Sequence, residues 1–443
     1  MTTSTSRTGP LRPGFILLFW LPLAATWLMM AAEGPYIAAI IARLENAAPN
    51  LAAYGVAFSL AWLVESPIMM LLSASNALVR DRASFLALRR FALWLNCIVT
   101  AGMVIVALPP VFRFVGEGLI DLPPAISQLA QVATAILIPW PAAIGYRRFY
   151  QGILTRHHLT RRVAYGTVVR LVTMSVTALV LAKTVTLPGA SIAAIALVSG
   201  VLAEAFASRW MAREIVAQIV ASDEVAVGAL VRMPEIARFY YPLALTSMLS
   251  MALGPLVTFG LGHGRAPLES LASWPVVISL VFLFRSGGLG YQEAAVALIG
   301  KGEGHVREVT RVGLWLGFAF STVLAFLALT PFETIWLQRV AGLTPELASF
   351  AVWPVRIMIL LPALEYLLAV QRARLILEHR TRLITLATAI ETGGLGVTLF
   401  FTVGAFGMIG AIAGAISTMV GRVAANLYLF MRLRIARAAS SSA

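Results

Sequence analysis

Pro22-Leu23-Ala24, Thr26 and Gly34-Pro35 recur in the second half of the chain as Pro242-Leu243-Ala244, Thr246 and Gly254-Pro255. In the same register, Leu51-Ala52, Val56, Ser59-Leu60, Leu63 and Ser66 return as Leu271-Ala272, Val276, Ser279-Leu280, Leu283 and Ser286. One residue out of that register, Leu93-Trp94-Leu95 and Pro110 meet Leu314-Trp315-Leu316 and Pro331. His158, Thr160-Arg161 and Val176-Thr177 likewise meet His379, Thr381-Arg382 and Val397-Thr398. Matches clustered at one displacement mark a duplicated unit. The unit is a set of long apolar segments, and two such bundles side by side in a membrane enclose a cleft between them.

Of the 443 residues, 59% are apolar and 12% charged, and the mean hydropathy is +0.85. That is too little polar surface to cover a water-soluble particle of this size. The apolar runs reach about 20 residues, enough for a helix to cross a hydrocarbon core, and lack the ten-residue alternation of a membrane barrel. An all-α polytopic membrane protein follows. Spans are expected near 14–41, 51–78, 88–110, 128–150, 163–184 and 189–212, then near 236–262, 270–298, 310–331, 347–370, 383–404 and 407–431. The division is a six-span lobe over 1–220, a linker over 221–235 and a second six-span lobe over 236–443.

Basic residues set the expected orientation. Arg80, Arg82, Arg89, Arg90, Arg147, Arg148, Arg156, Arg161, Arg162, Arg372, Arg374, Arg380 and Arg382 all fall on the side of the termini. About 25 basic residues lie there against about 5 opposite (Arg43, Arg113, Lys183, Arg265, Arg339), which puts both termini in the cytoplasm. The formal net charge of +14 is then topology and contact with anionic headgroups, not nucleic-acid binding. Residues 1–13, with Arg7 and Arg12 ahead of a long apolar run, imitate a signal peptide, but that run is too long and its copy sits in mid-chain, so it reads as a retained first span. Scarce lysine beside abundant arginine and alanine suggests a bacterial inner-membrane protein.

Cys97 is alone, which excludes an intramolecular disulfide and a thiolate metal site. The five histidines, His157, His158, His263, His305 and His379, sit in loops or at span ends. No H-E-x-x-H pair or Gly-rich nucleotide loop with a lysine is present, so neither an enzyme nor direct ATP drive is expected, and no cofactor.

The stretch Tyr54-Gly55-Val56-Ala57-Phe58-Ser59-Leu60, followed by Ser66-Pro67-Ile68-Met69 and Val79-Arg80-Asp81-Arg82, resembles the second span and following loop of the progressive ankylosis (ANK) family of membrane transporters. Tyr150-Gln151-Gly152-Ile153-Leu154 before a basic loop resembles the end of span four in the wider superfamily of multidrug extruders and lipid-linked oligosaccharide flippases. The resemblance implies a V-shaped pair of six-helix lobes, a central cavity lined by spans one, two, seven and eight, and export of small polyvalent anions such as citrate, nucleotides or pyrophosphate.

Charges inside the spans cost about 2.5–3.5 kcal/mol each on insertion scales, so each asks for a partner or for water. Glu65 and Arg285 share a repeat position with opposite sign, and lobes related by a two-fold axis along the membrane normal would set them face to face. Such a pair is either a substrate and proton site or a permanent tie between helices. Asn76, eleven residues after Glu65, and Gln292, seven after Arg285, return to the same helix faces within about 20°. Gly287-Gly288 and Gly290 permit either a bend or close packing. Arg170 and Glu391 at equivalent places in spans five and eleven, and Glu204 and Arg422 at nearly equivalent places in spans six and twelve, form interlobe latches, snorkel, or pair within a lobe. Glu33, beside the Gly34-Pro35 break, has only Leu253 as its counterpart and is a candidate for ion coupling. Arg356 is a candidate cavity cation; Glu365, nine residues on, faces the other way. Trp140 and Tyr146 read as interfacial anchors.

Together these features predict a monomeric secondary transporter in contact with membrane lipids. Arg285, Glu65, Gln292, Asn76 and Arg356 would hold a small anion, and Glu33, Glu65, Arg170, Glu391, Glu204 and Arg422 would couple or gate it with H+ or Na+. Alternatives are a cation-coupled multidrug antiporter, a lipid-linked oligosaccharide flippase, and a membrane scaffold that transports nothing.

Overall fold

The computed structural model describes residues 11–157, 159–221, 232–299, 305–378 and 380–441. His158, His379, residues 1–10 and most of the expected linker 221–235 lie outside them. Among the described residues, twelve helices are long and apolar enough to cross a membrane: Pro13–Ile41, Ala47–Leu78, Arg82–Ala107, Pro124–Arg156, Arg161–Thr184 and Gly189–Met211 in the first half, and Met233–His263, Pro267–Ile299, Val306–Leu329, Pro345–Leu377, Thr381–Ala405 and Gly410–Ile435 in the second. The expected spans are all present, with ends shifted by a few residues and lengthened where end signals add turns. Pro124, Pro267 and Pro345 open spans four, eight and ten, where the missing N–H is no loss. Asp81 caps span three, its Oδ1 accepting from Ser84 N at 2.7 Å while Ser84 Oγ accepts from Asp81 N at 3.0 Å.

The duplication reaches the backbone. Span one breaks at Ala32 and span seven at Ala252, each one residue before the stretch that carries Gly-Pro. A π-helical turn follows span three at Phe114–Leu119 and span nine at Ile335–Val340. Left-handed residues recur too: Asn46 (φ 52°) with Ala266 (φ 53°), and Asp121 (φ 62°) with Gly342 (φ 78°). Span two departs from the repeat. It narrows to a 3-10 segment at Ser66–Met70, whereas span eight stays α-helical throughout, because Pro67 removes an amide donor where Gly287 keeps one.

Packing is dense within each half, and the halves meet along spans one, two, seven and eight. A β-carbon on Gly55 would come 2.9 Å from Pro275 Cγ, and one on Gly34 would come 2.8 Å from Ser279 Cβ, so the spans touch almost backbone to backbone. Near the end that bears the termini, Trp20 of span one lies among second-half residues. Its Nε1 donates to Gly287 O at 2.9 Å, and its ring lies 6.3 Å from those of both Phe320 and Tyr366. Large apolar side chains such as Trp94, Trp315 and Phe400 point outward, as a lipid-facing belt requires.

Ala266 holds a left-handed conformation that disfavours a β-carbon, by about 1–2 kcal/mol. Ala266→Gly is therefore expected to raise the thermal unfolding midpoint in detergent; an unchanged or lower midpoint would mean the surrounding loop sets φ at no cost.

Candidate functional site

Two buried ion networks occupy the spans, one in each half. In the first, the break at Ala32 starts a new helix at Glu33, whose carboxylate is bonded by the Arg170 guanidinium of span five. Arg170 Nη1 is also 3.8 Å from Glu204 Oε2 of span six. Arg147 and Gln151, four residues apart on one face of span four, complete the set: Arg147 Nη1 is 2.6 Å from Glu204 Oε2 and Gln151 Nε2 donates to Glu204 Oε1 at 3.0 Å. Arg170 lies 5.6 Å over the Trp140 ring, and that indole N–H donates to the Glu65 carboxylate of span two.

The second network is assembled from spans eight, ten, eleven and twelve. Glu365 Oε2 takes Arg422 Nη1 at 2.9 Å and Arg285 Nε at 3.2 Å, while Arg422 Nε is 2.8 Å from Glu391 Oε1. Gly287 and Gly288 make room for this: a β-carbon on Gly288 would sit 2.9 Å from Glu365 Cγ, and one on Gly287 would collide with the Tyr366 hydroxyl. Their role here is close packing.

The signs are inverted between the networks. Arg170 and Glu391 are strict repeat partners in the register of the later spans. Spans six and twelve start at Gly189 and Gly410, so Glu204 and Arg422 stand about one turn from strict equivalence rather than nearly on it. Arg170, Glu391, Glu204 and Arg422 thus pair inside their own half, not as latches between halves.

Glu65 and Arg285 do not meet, since each has a nearer partner in its own half: Trp140 for Glu65, Glu365 for Arg285. Asn76 leaves the face of Glu65, because five residues of 3-10 helix add about 100° of rotation to the α-helical count. Its carbonyl accepts from Arg156 Nη1 at 2.8 Å. Gln292 is half-buried, with no side-chain hydrogen bond among the described residues. Arg356 turns to the end opposite the termini, where it donates to Glu333 Oε2 at 2.8 Å and to Ala328 O at 3.1 Å.

Sequence reasoning misses the roles of Trp140, Arg147 and Gln151, and counts Arg147, Arg148 and Arg372 only toward orientation. All three arginines are inside helices. The Arg147-Gln151 spacing is the signal that could have found them. Two guanidiniums stay underused: Arg148 has neither hydrogen bond nor ion pair among the described residues, with its Nε buried, and Arg372 reaches only the Thr388 hydroxyl, at 3.5 Å. The second half thus sets Arg285, Arg372 and Arg422 against two carboxylates, Glu365 and Glu391.

Two cavities lie elsewhere. A lipid-facing groove of about 370 Å³ is lined by Arg311, Leu314, Trp315 and Phe318, and a void of about 30 Å³ lies beside Asn96, Tyr146 and Phe149. Neither lies on the seam, where an open central chamber was expected. The described residues contain no group of three or more His, Cys, Asp or Glu able to hold a metal ion.

An inward-facing multidrug resistance transporter of the MATE family and MOP superfamily superposes with a TM-score of 0.74, covering 96% of this chain and 99% of its own at 15% identity. This chain has the MATE-like fold. The lipid II flippase MurJ, in an inward closed conformation, gives 0.72 over 94% of this chain and 87% of its own at 13% identity. An outward-facing multidrug resistance MATE structure gives 0.63 over 98% of this chain and 99% of its own at 16% identity. No protein-family model and no curated protein matches the sequence.

Removing one partner from a buried ion pair typically costs about 3–5 kcal/mol, because a charge is left behind. Glu365→Ala, which strands two guanidiniums, is expected to lower the unfolding midpoint in detergent more than Glu391→Ala, which strands part of one. Equal losses would show that Arg285 draws nothing from Glu365.

Proposed function

We propose that the protein is a secondary active membrane transporter that exports a small polyvalent anion, organic or phosphorylated, by alternating access. The observation that carries this reading is the surplus of guanidinium over carboxylate in the second-half network, whose Arg285 stands on the span that packs against the first half. A protein that needed those charges only for packing would match them one to one. Arg285 is the anion-binding residue: its side chain keeps 19% exposure while Glu365 is shared with Arg422. Glu65 and Glu33, each tied to a donor that can release it, are the coupling groups for H+ or Na+. Likeness of fold to transporters in inward-facing and outward-facing forms supports a rocking motion of the halves, and the stretch 54–82 supports the anion class through its ANK-family resemblance. The excess of arginine at the end bearing the termini favours a bacterial inner membrane with that end in the cytoplasm.

A soluble cargo is favoured over a lipid-linked one by the seam between spans one and eight. Trp20 bonds to Gly287 O and Trp27 Nε1 donates to Glu293 Oε1 at 3.2 Å, and these contacts tie spans one and eight together where a lipid-linked cargo would need them to part. A second reading, a scaffold that moves nothing, is favoured by the closed packing of spans two and eight around their polar residues.

Flux decides between them. Purified protein in proteoliposomes is expected to move citrate, nucleotide or pyrophosphate, and Arg285→Ala to lower that flux by at least about tenfold, the loss of one charge-assisted contact. Flux unchanged by Arg285→Ala removes the site. Absence of flux for these anions, cationic dyes and lipid-linked sugars alike selects the scaffold.

A further inference from the structure

The π-helical turns after spans three and nine lie at the end opposite the termini, and each is gripped by the other half of the molecule. In the second half the turn closes with Ala341 N on Trp336 O at 2.8 Å and Leu343 N on Leu337 O at 3.0 Å, which leaves the Arg339 and Val340 carbonyls to be satisfied from outside. Arg43, at the end of span one, takes both: Nη2 donates to Arg339 O at 2.6 Å and to Val340 O at 2.8 Å, while Nη1 is steadied on Ala39 O at 2.6 Å. Gly342 gives the guanidinium its place, since a β-carbon there would stand 2.8 Å from Nη1. The mirrored contact is made by Gly262 at the end of span seven, where a β-carbon would collide with the Ile120 carbonyl oxygen. His263, at the repeat position of Arg43, makes no such reach, as its Nδ1 is 3.0 Å from Phe259 O.

We infer that Arg43 and Gly262 form a two-point latch between the halves that holds this end shut, and that Arg43 is its releasable member. The two points differ in kind. Gly262 against Ile120 is a shape contact, which guides closure but adds little once the halves part. The Arg43 fork spans two carbonyls at once, and it is exposed, so water can replace those carbonyls at small cost. A permanent tie would be buried, like Arg147 with Glu204. The inference rests on the alternating-access reading, but its test needs no cargo.

Spin labels at Leu119→Cys and Glu346→Cys, in a Cys97→Ser background, report the separation of the two turns in detergent or nanodiscs. Arg43→Gln is expected to raise the long-distance population about tenfold. Arg43→Lys, which keeps the charge and one donating nitrogen but loses the steadying bond from Nη1 to Ala39 O, should fall between. Distance distributions that do not change with Arg43→Gln overturn the latch, whatever flux does. A widened distribution in a protein that carries no anion keeps the latch and rejects the transport assignment. Arg43 is on the surface, so the variants are expected to keep the fold, checked by gel filtration and unfolding midpoint.

Discussion

Charge in a hydrocarbon medium is the constraint on which this molecule is built. A carboxylate or guanidinium without a partner costs several kcal/mol at mid-membrane depth, so the helices that carry them are held at fixed angles and depths by the need to meet. Glu204 fixes span six against spans four and five, and Glu365 does the same for spans eight, ten and twelve. The apolar surfaces of these helices would pack in many registers, lipid being as apolar as they are, whereas the ion networks accept one.

The two networks also differ in kind from the seam between the halves. Each is closed within its half, and the contacts between halves are of another type: glycine against proline or serine, indoles on a carbonyl and a carboxylate, a tyrosine hydroxyl on a carbonyl, an exposed arginine on a turn. Contacts of that second type are weak one by one and can be remade. Two stiff bundles with a soft seam are what a rocking mechanism requires.

The fold was legible in the sequence because its signal is long. Twelve apolar runs and a repeat unit that fills half the chain survive local noise, and the backbone breaks at Ala32 and Ala252 follow from the mirrored Gly-Pro pairs. The partners of the charges were not legible. Opposite signs at mirrored positions fit attraction across a two-fold axis, and they fit equally two halves that pair their charges internally with exchanged signs; only the neighbours decide. Those neighbours, Trp140 for Glu65 and Glu365 for Arg285, lie two spans further along the chain, on helices whose rotation is set by packing that no periodicity encodes. Asn76 was misplaced for a local reason, since the tighter turn at Ser66–Met70 changes the helical phase from which its face follows.

Trp20 donates its indole N–H to a carbonyl 267 residues further along the chain. During synthesis, span one therefore emerges into the bilayer long before span eight exists to receive it. Until then its packing surface is covered by lipid, and the indole has no second-half carbonyl to bond. Assembly of the two halves is thus a late event in biogenesis, completed when the amino-terminal helix docks onto helices made afterwards.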